Sequence, residues 1–154
     1  MNKVEIIAKG LPRPRWWKRY AEFLKKAMDV MGVREWEVSV LLCDDAVIHA
    51  LNERYRRKNA ATDVLSFRQA DVRTPGYDGA AGDVAISLQT VRGNAESLGV
   101  AEEEELKRVS VHGLLHLAGM DHGGGKSGAM LKRQEEILRK LKRERIIALK
   151  LRRY

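Results

Sequence analysis

The chain has 154 residues, 32% of them charged and 44% hydrophobic, and a net charge of +8. At ~150 residues per domain this is one domain, large enough to bury a core without disulfides. The composition excludes a disordered chain, and no apolar run approaches the ~18 residues of a membrane span. The charge is uneven: residues 1–26 carry a net +6, residues 132–154 a net +7, and the stretch between them −5. Basic ends around a mildly acidic middle point to an anionic partner, nucleic acid or a membrane surface. Met1 to Gly10 has no apolar segment of the signal-peptide kind, and Cys43 is the single cysteine. Both features fit a reducing cytoplasm.

In chain order, Val4 to Ile7 reads as a short strand. Leu11 to Pro14 is extended, because each proline disfavours helix at the residue before it. Trp17, Tyr20, Leu24, Ala27, Met28 and Met31 then recur at helical spacing, and Gly32 is a natural stop. Trp36, Val38 and Val40 alternate with polar residues as in a strand. Asp44 or Asp45 can cap a helix through Val47, Leu51 and Tyr55. Asn59 to Thr62 is a loop, Val64 to Phe67 a third strand, and residues 68–82 an irregular excursion or wide hairpin. Val84 to Leu88 is a fourth strand and Thr90 to Leu98 a short helix ending at Gly99. Glu102 to Glu105 place negative charge where a helix N-terminus favours it. That helix continues through Leu106, Val109, Leu114 and Leu117 to Gly119. A last helix runs from about Ser127 through Met130, Ile137 and Leu141 to Ile147, with a basic outer face. The order predicts an α/β (α+β) chain: one domain over residues 1–154, a small mixed sheet of about four strands covered by helices, and a basic helical extension from about residue 139.

Three of the four histidines lie within eleven residues, as His112-Gly113-Leu114-Leu115-His116-Leu117-Ala118-Gly119-Met120-Asp121-His122. His112 and His116 stack on one helix face. A left-handed Gly119 can end the helix and let His122 return to the same point. Three imidazoles suit Zn²⁺ and leave its fourth position for water, the pattern of a catalytic rather than a structural site. The histidines and the glycine match the metzincin protease pattern H-E-x-x-H-x-x-G-x-x-H position for position. Gly113, however, stands where those proteases carry the glutamate that handles the water proton. That substitution argues against peptide hydrolysis and leaves the metal scaffold intact. His49, alone in an apolar helical pattern, reads as an ordinary core or capping histidine.

With this motif in view, the sequence resembles the YbeY family of metal-dependent endoribonucleases, whose motif is H-G-x-L-H-L-x-G-[YH]-D-H. Two further blocks agree in family order: Asn52 to Lys58 with Thr62-Asp63-Val64-Leu65-Ser66-Phe67, and Gly82-Asp83-Val84-Ala85-Ile86-Ser87. The likeness spans roughly residues 36–138. Ala61 and Arg68 stand where the family often has proline, and Met120 where an aromatic residue or histidine is usual. The resemblance implies a zinc-dependent, single-strand-specific endoribonuclease acting in 3′-end maturation of small-subunit (16S) rRNA and in ribosome quality control. It implies His112, His116 and His122 as metal ligands, one zinc per chain, and single-stranded RNA and the small ribosomal subunit as partners, with no role for DNA or a membrane. The family's arginine maps onto Arg56, which on spacing alone would read as a solvated helix residue like Arg54 and Arg57.

A guanidinium is planar, bidentate and always ionised, so Arg56 suits the charge that develops on a phosphodiester in its transition state. Asp121 reads as a turn cap or as an acceptor orienting a ligand imidazole. Asp63 and Asp83 read as turn residues. Arg13, Arg15, Lys18 and Arg19 interleave with Trp16 and Trp17, which can either stack on unpaired bases or anchor the first helix, as is expected of Trp17. The basic run from Arg139 to Arg153 either binds rRNA or is a solvated helix face. Two other functions compete with the nuclease: a non-catalytic zinc-containing ribosome assembly factor, and a metalloprotease, which Gly113 disfavours.

Overall fold

A computed structural model describes residues 1–68, 80–120 and 127–147. The elements in order are β1 (Lys3–Lys9), α1 (Trp17–Met31), β2 (Glu37–Cys43), α2 (Asp45–Arg56), β3 (Val64–Arg68), β4 (Ala80–Ser87), α3 (Leu88–Leu98), α4 (Glu102–Leu117) and α5 (Ser127–Lys140). The four strands form one mixed sheet in the order β1-β2-β4-β3. β1 and β4 both run parallel to β2, and β3 lies antiparallel on the outer edge of β4. The expected small mixed sheet is therefore present, although the excursion after β3 lies largely outside the described residues.

Period-two alternation divides the strand residues between two faces. Ile6, Val38, Val40, Leu42, Val84 and Ile86 join Tyr20, Phe23, Leu24 and Met28 of α1 and Leu106, Val109 and Leu114 of α4 in the main core. On the other face Cys43, Leu65 and Ala85 meet Ile48, Val47 and Leu51 of α2 in a smaller cluster. Trp16 and Trp17 pack partly buried against the main core, as the anchoring reading of Trp17 requires. The buried Tyr20 hydroxyl pairs with Ser110 Oγ at 2.7 Å, which ties α1 to α4.

Several boundaries follow from local chemistry. Asp44 rather than Asp45 caps α2, accepting from the Val47 amide at 3.0 Å. Asp45 instead accepts from Ser87 Oγ at 2.5 Å and Thr90 Oγ1 at 2.6 Å. Ser87 is the N-cap of α3, so β4 stops there and Leu88 is the first helical residue, two positions before the start that spacing predicts. The last helix also departs from expectation, ending at Lys140 instead of continuing to Ile147. Lys107 Nζ donates to the carbonyls of Leu141 and Glu144, and the amides of Ile146 and Ile147 donate to Glu103 Oε1. These bonds take over the groups a continuing helix would have used, and they seat the fully buried Ile146 in the core. Residues 148–154, with Lys150, Arg152 and Arg153, lie outside the described residues.

Candidate active site

α4 carries the site at its C-terminal end. The amide of Gly119 donates to His116 O at 2.9 Å and that of Met120 to Leu115 O at 3.1 Å. With Gly119 at φ +91°, this is the Schellman motif that the glycine predicted. His112 and His116 face one another one turn apart, their Nε2 atoms 3.1 Å from each other. Ligands at 2.0–2.1 Å from a tetrahedral ion stand roughly 3.3 Å apart, so this pair fits a shared metal. His122 and Asp121 lie outside the described residues.

Sequence reading missed the group that sets His112. Gln134, on α5 and 2% exposed, presents Oε1 at 2.9 Å to His112 Nδ1. An amide oxygen only accepts, so His112 carries its proton on Nδ1 and directs the Nε2 lone pair toward His116 and the cleft. A partner that fixes the tautomer in this way raises a ligand's basicity and orients its ring. The signal was present in the sequence. Gln134 falls on the helical stripe of Met130, Ile137 and Leu141, where a buried polar side chain needs a partner.

Gly113 has a packing reason. A Cβ there would lie 3.0 Å from Val84 Cγ1, 3.2 Å from Val64 Cγ2 and 3.4 Å from Ser66 Oγ. The glycine lets α4 approach β3 and β4 closely, and Ser66 Oγ bridges the contact by donating to Gly113 O at 3.0 Å. A glutamate could not occupy this face without moving the helix off the sheet.

Arg56, the last residue of α2, reaches across to the edge strand. Its Nη2 donates to Ser66 O at 2.5 Å, and its guanidinium lies 5.3 Å from the centre of the Phe67 ring. A cleft of about 460 Å³ is lined by Arg56, Ser66, Arg68, His112, His116 and Met120 among others. His112, His116 and Arg56 thus line one cleft. Arg68 is a second guanidinium that spacing did not single out, and its Nη2 lies 3.5 Å from where a Gly119 Cβ would be.

Of the other singled-out residues, Asp63 also lines the cleft, while Asp83 and His49 lie elsewhere. Asp63 is 3.7 Å from Arg108 Nη2, while Arg108 chelates the buried Glu105 at 2.6 and 2.7 Å. Asp83 sits on the α2 side of the sheet beside Leu41, Tyr55 and Phe67, where partial burial and then the nearby Glu5 raise its pKa above the usual 3.8. His49 is half-exposed rather than in the core, and its Nε2 lies 2.6 Å from Asn59 Oδ1, fastening the loop after α2.

No helix among the described residues is long and apolar enough to cross a membrane. The sequence profile of the family described as Endoribonuclease YbeY matches residues 6–142. A curated relative named Endoribonuclease YbeY from Treponema pallidum (strain Nichols) is 42% identical over 144 residues, covering 90% of this chain and 89% of that protein. The protein of the same name from Treponema denticola is 44% identical over 131 residues, covering 80% and 83%. A Thermotoga maritima protein solved in solution superposes with a TM-score of 0.59 at 26% identity, over 90% of this chain and 91% of that one. With a profile match and relatives of this extent on a fold that gathers His112, His116 and Arg56 in one cleft, the chain belongs to the YbeY family of endoribonucleases.

Proposed function

We propose that the chain is a zinc-dependent endoribonuclease that cuts single-stranded RNA in the cleft between α4 and β3, acting in 3′-end maturation of small-subunit (16S) rRNA. The observation that carries this reading is the meeting of the His112 and His116 Nε2 atoms with the anchored Arg56 guanidinium in one cleft. His112, His116 and, from its place three residues past the glycine turn, His122 hold the metal. When bound, zinc supplies Lewis acidity at the scissile phosphate and acidifies a water. Gln134 holds His112 in the tautomer that ligates. Arg56 is fixed at one edge by Ser66 O. Its remaining donors are preorganised for the non-bridging oxygens as charge builds on the phosphorus. Arg68 places a second positive charge in the same cleft for an adjoining phosphate.

The packing at Gly113 disfavours a peptidase, because the position where a zincin carries its base is filled by strand side chains. Single replacement of His112, His116 and His122 by alanine is expected to lose stoichiometric zinc, and retained metal in all three variants would overturn the ligand assignment. Zinc-loaded protein is expected to cut single-stranded and spare duplex RNA, with His116→Ala inactive as the control for contaminating ribonuclease. Arg56→Ala is expected to keep its zinc and lose about 10²–10³ in cleavage rate, the usual loss when one preorganised charge-stabilising donor is removed. Cleavage that survives in His116→Ala, or that is absent from the zinc-loaded protein, would favour the non-catalytic assembly factor.

A further inference from the structure

A second cavity lies beside the cleft, on the α2 side of the sheet. It holds about 430 Å³ and is lined by Ile7, Leu41, Leu51, Tyr55, Phe67 and Asp83 among others. Ser39, Asp83 and Phe67 are register partners on β2, β4 and β3, so they form one row across its floor. Tyr55, in the last turn of α2, meets Phe67 edge to face with the ring centres 5.5 Å apart. At 55% exposure Tyr55 is the one exposed Phe, Tyr or Trp among the described residues. Trp16, Trp17 and Trp36 are partly buried against the main core, and the Arg13 guanidinium already covers Trp17 at 3.8 Å from the ring centre.

The cleft and this cavity share a wall. β3 is the outer strand of the sheet, and its side chains alternate between the faces. Ser66 turns toward α4 and the cleft, and Phe67 toward α2 and the cavity. Arg56 spans the strand edge between them: its guanidinium lines the cleft, donates to Ser66 O and lies 5.3 Å from the centre of the Phe67 ring. A nucleotide with its phosphate on Arg56 therefore has its base within reach of the Tyr55–Phe67 pair. The cavity itself rejects phosphate, because Asp83 stands in its floor with Glu5 close enough to raise the Asp83 pKa further. Aromatic and aliphatic walls around one carboxylate suit the flat, uncharged part of a nucleotide.

We propose that this cavity takes one unpaired nucleobase of the RNA strand, stacked on Tyr55 beside the phosphate held by Arg56. The inference rests on the nuclease reading for the placement of the strand, and it deepens that reading by giving the preference for single strands a structural origin. A base inside a duplex is stacked on both faces and hydrogen-bonded along its edge, so it cannot enter; an unpaired base is free to splay out and stack on a protein ring. Such stacking tolerates any sequence, because every base has a π-face.

The test pairs Tyr55 variants of the zinc-loaded protein with single-stranded oligoribonucleotides in which each nucleotide around the cleaved bond is made abasic in turn. Tyr55→Ala is expected to raise Kd and KM for the intact strand by roughly 10–100-fold, the loss of one base–aromatic stack, with kcat and bound zinc unchanged. Tyr55→Trp is expected to bind like the unaltered protein. One abasic position is expected to cost the unaltered protein the same factor, and on that oligonucleotide Tyr55→Ala loses nothing more. Tyr55→Leu, which keeps the cavity covered, takes the place of alanine if circular dichroism shows α2 disturbed. Losses that multiply overturn the base site, and so does a Tyr55→Ala of normal affinity. Normal binding and cutting of naked RNA, with cleavage lost only on intact ribosomal subunits, also overturns it and assigns the face to a protein contact. Kd, read by fluorescence anisotropy, keeps the two readings apart: shared losses in Kd without zinc-dependent cleavage would remove the nuclease reading and leave the base site standing.

Discussion

Two helical glycines offer a matched test of how α4 reaches the sheet. Gly93, in the middle of α3, has nothing within 4 Å of the place a Cβ would take, whereas Gly113 in α4 faces Val84 Cγ1 at 3.0 Å and Val64 Cγ2 at 3.2 Å. Alanine at either position gains about 1 kcal/mol of helix propensity. At position 93 nothing opposes that gain, so Gly93→Ala is expected to stabilise the protein by about 1 kcal/mol. At position 113 the new methyl overpacks two β-branched side chains held on adjacent strands. Their χ1 angles are stiff, and such overpacking typically costs about 1–3 kcal/mol. Gly113→Ala is therefore expected to lose about 0–2 kcal/mol, which puts the two variants about 1–3 kcal/mol apart. For a chain of this size each kcal/mol moves Tm by about 2–4 °C. Urea unfolding at constant m gives the same difference as a shift in midpoint. Gly113→Glu, which restores the zincin pattern, adds a carboxylate against the same strands and is expected to be the least stable of the three. If Gly113→Ala proves as stabilised as Gly93→Ala, close approach of α4 to β3 and β4 is not what holds glycine at this position.

Three other perturbations separate roles within the core and the site. Gln134→Met keeps the volume but removes the acceptor for His112 Nδ1 at 2.9 Å; zinc affinity, measured by competition with a chelator, is expected to fall about 10–100-fold without loss of the fold. Tyr20→Phe leaves the buried Ser110 hydroxyl without its 2.7 Å partner and is expected to cost about 1–3 kcal/mol in chemical denaturation. Adding Ser110→Ala is expected to restore most of that loss, since both polar groups are then gone. Asp83→Asn is expected to stabilise the protein at neutral pH, because burial first and Glu5 second hold its folded pKa above the unfolded value of 3.8. Between those two pKa values the folded state binds more protons, so the penalty is complete above the folded pKa and vanishes below the unfolded one. The advantage of the asparagine in a pH series of denaturation midpoints should therefore disappear as the pH falls through that window. An advantage that persists in acid would point to another cause.

Much of this arrangement is written locally. The alternation of Val38, Val40 and Leu42 and the helical recurrence of Tyr20, Leu24 and Met28 give both the elements and their buried faces, because side-chain period and burial are the same fact. The Gly119 turn is equally local, since only a residue free to take a positive φ closes that helix end as observed. The order β1-β2-β4-β3 is a matter of long-range pairing, and no window of sequence contains it. The early end of α5 is illegible for the same reason. Ile146 and Ile147 continue the apolar stripe of the helix, but Glu103 and Lys107, some forty residues away, capture the backbone. Gly113 shows a subtler limit. Motif comparison registers the missing glutamate and its chemical consequence, but not the two valines that fill the space.

Net charge by segment suffers from this same blindness to distance. The composition makes both ends basic, +6 and +7, and by that measure the C-terminal run is the stronger anion-binding candidate. Folding pairs part of this charge across the molecule. Segment 141–147 is drawn onto the acidic first turn of α4, where Glu103 meets Arg145 and Glu144 meets Lys26 across a 2.8 Å pair. Opposite charges at such separations cancel well within a Debye length of ~8–10 Å, so an approaching polyanion feels little of Arg145 or Lys26, one cation from each basic end. Arg13, Arg15, Lys18 and Arg19 at one end, and Lys140 and Arg143 at the other, are exposed and have no ion-pair partner among the described residues. Glu103 therefore does two jobs: with its three acidic neighbours it favours the helix that presents the histidines, and it pairs with Arg145 of the C-terminal run.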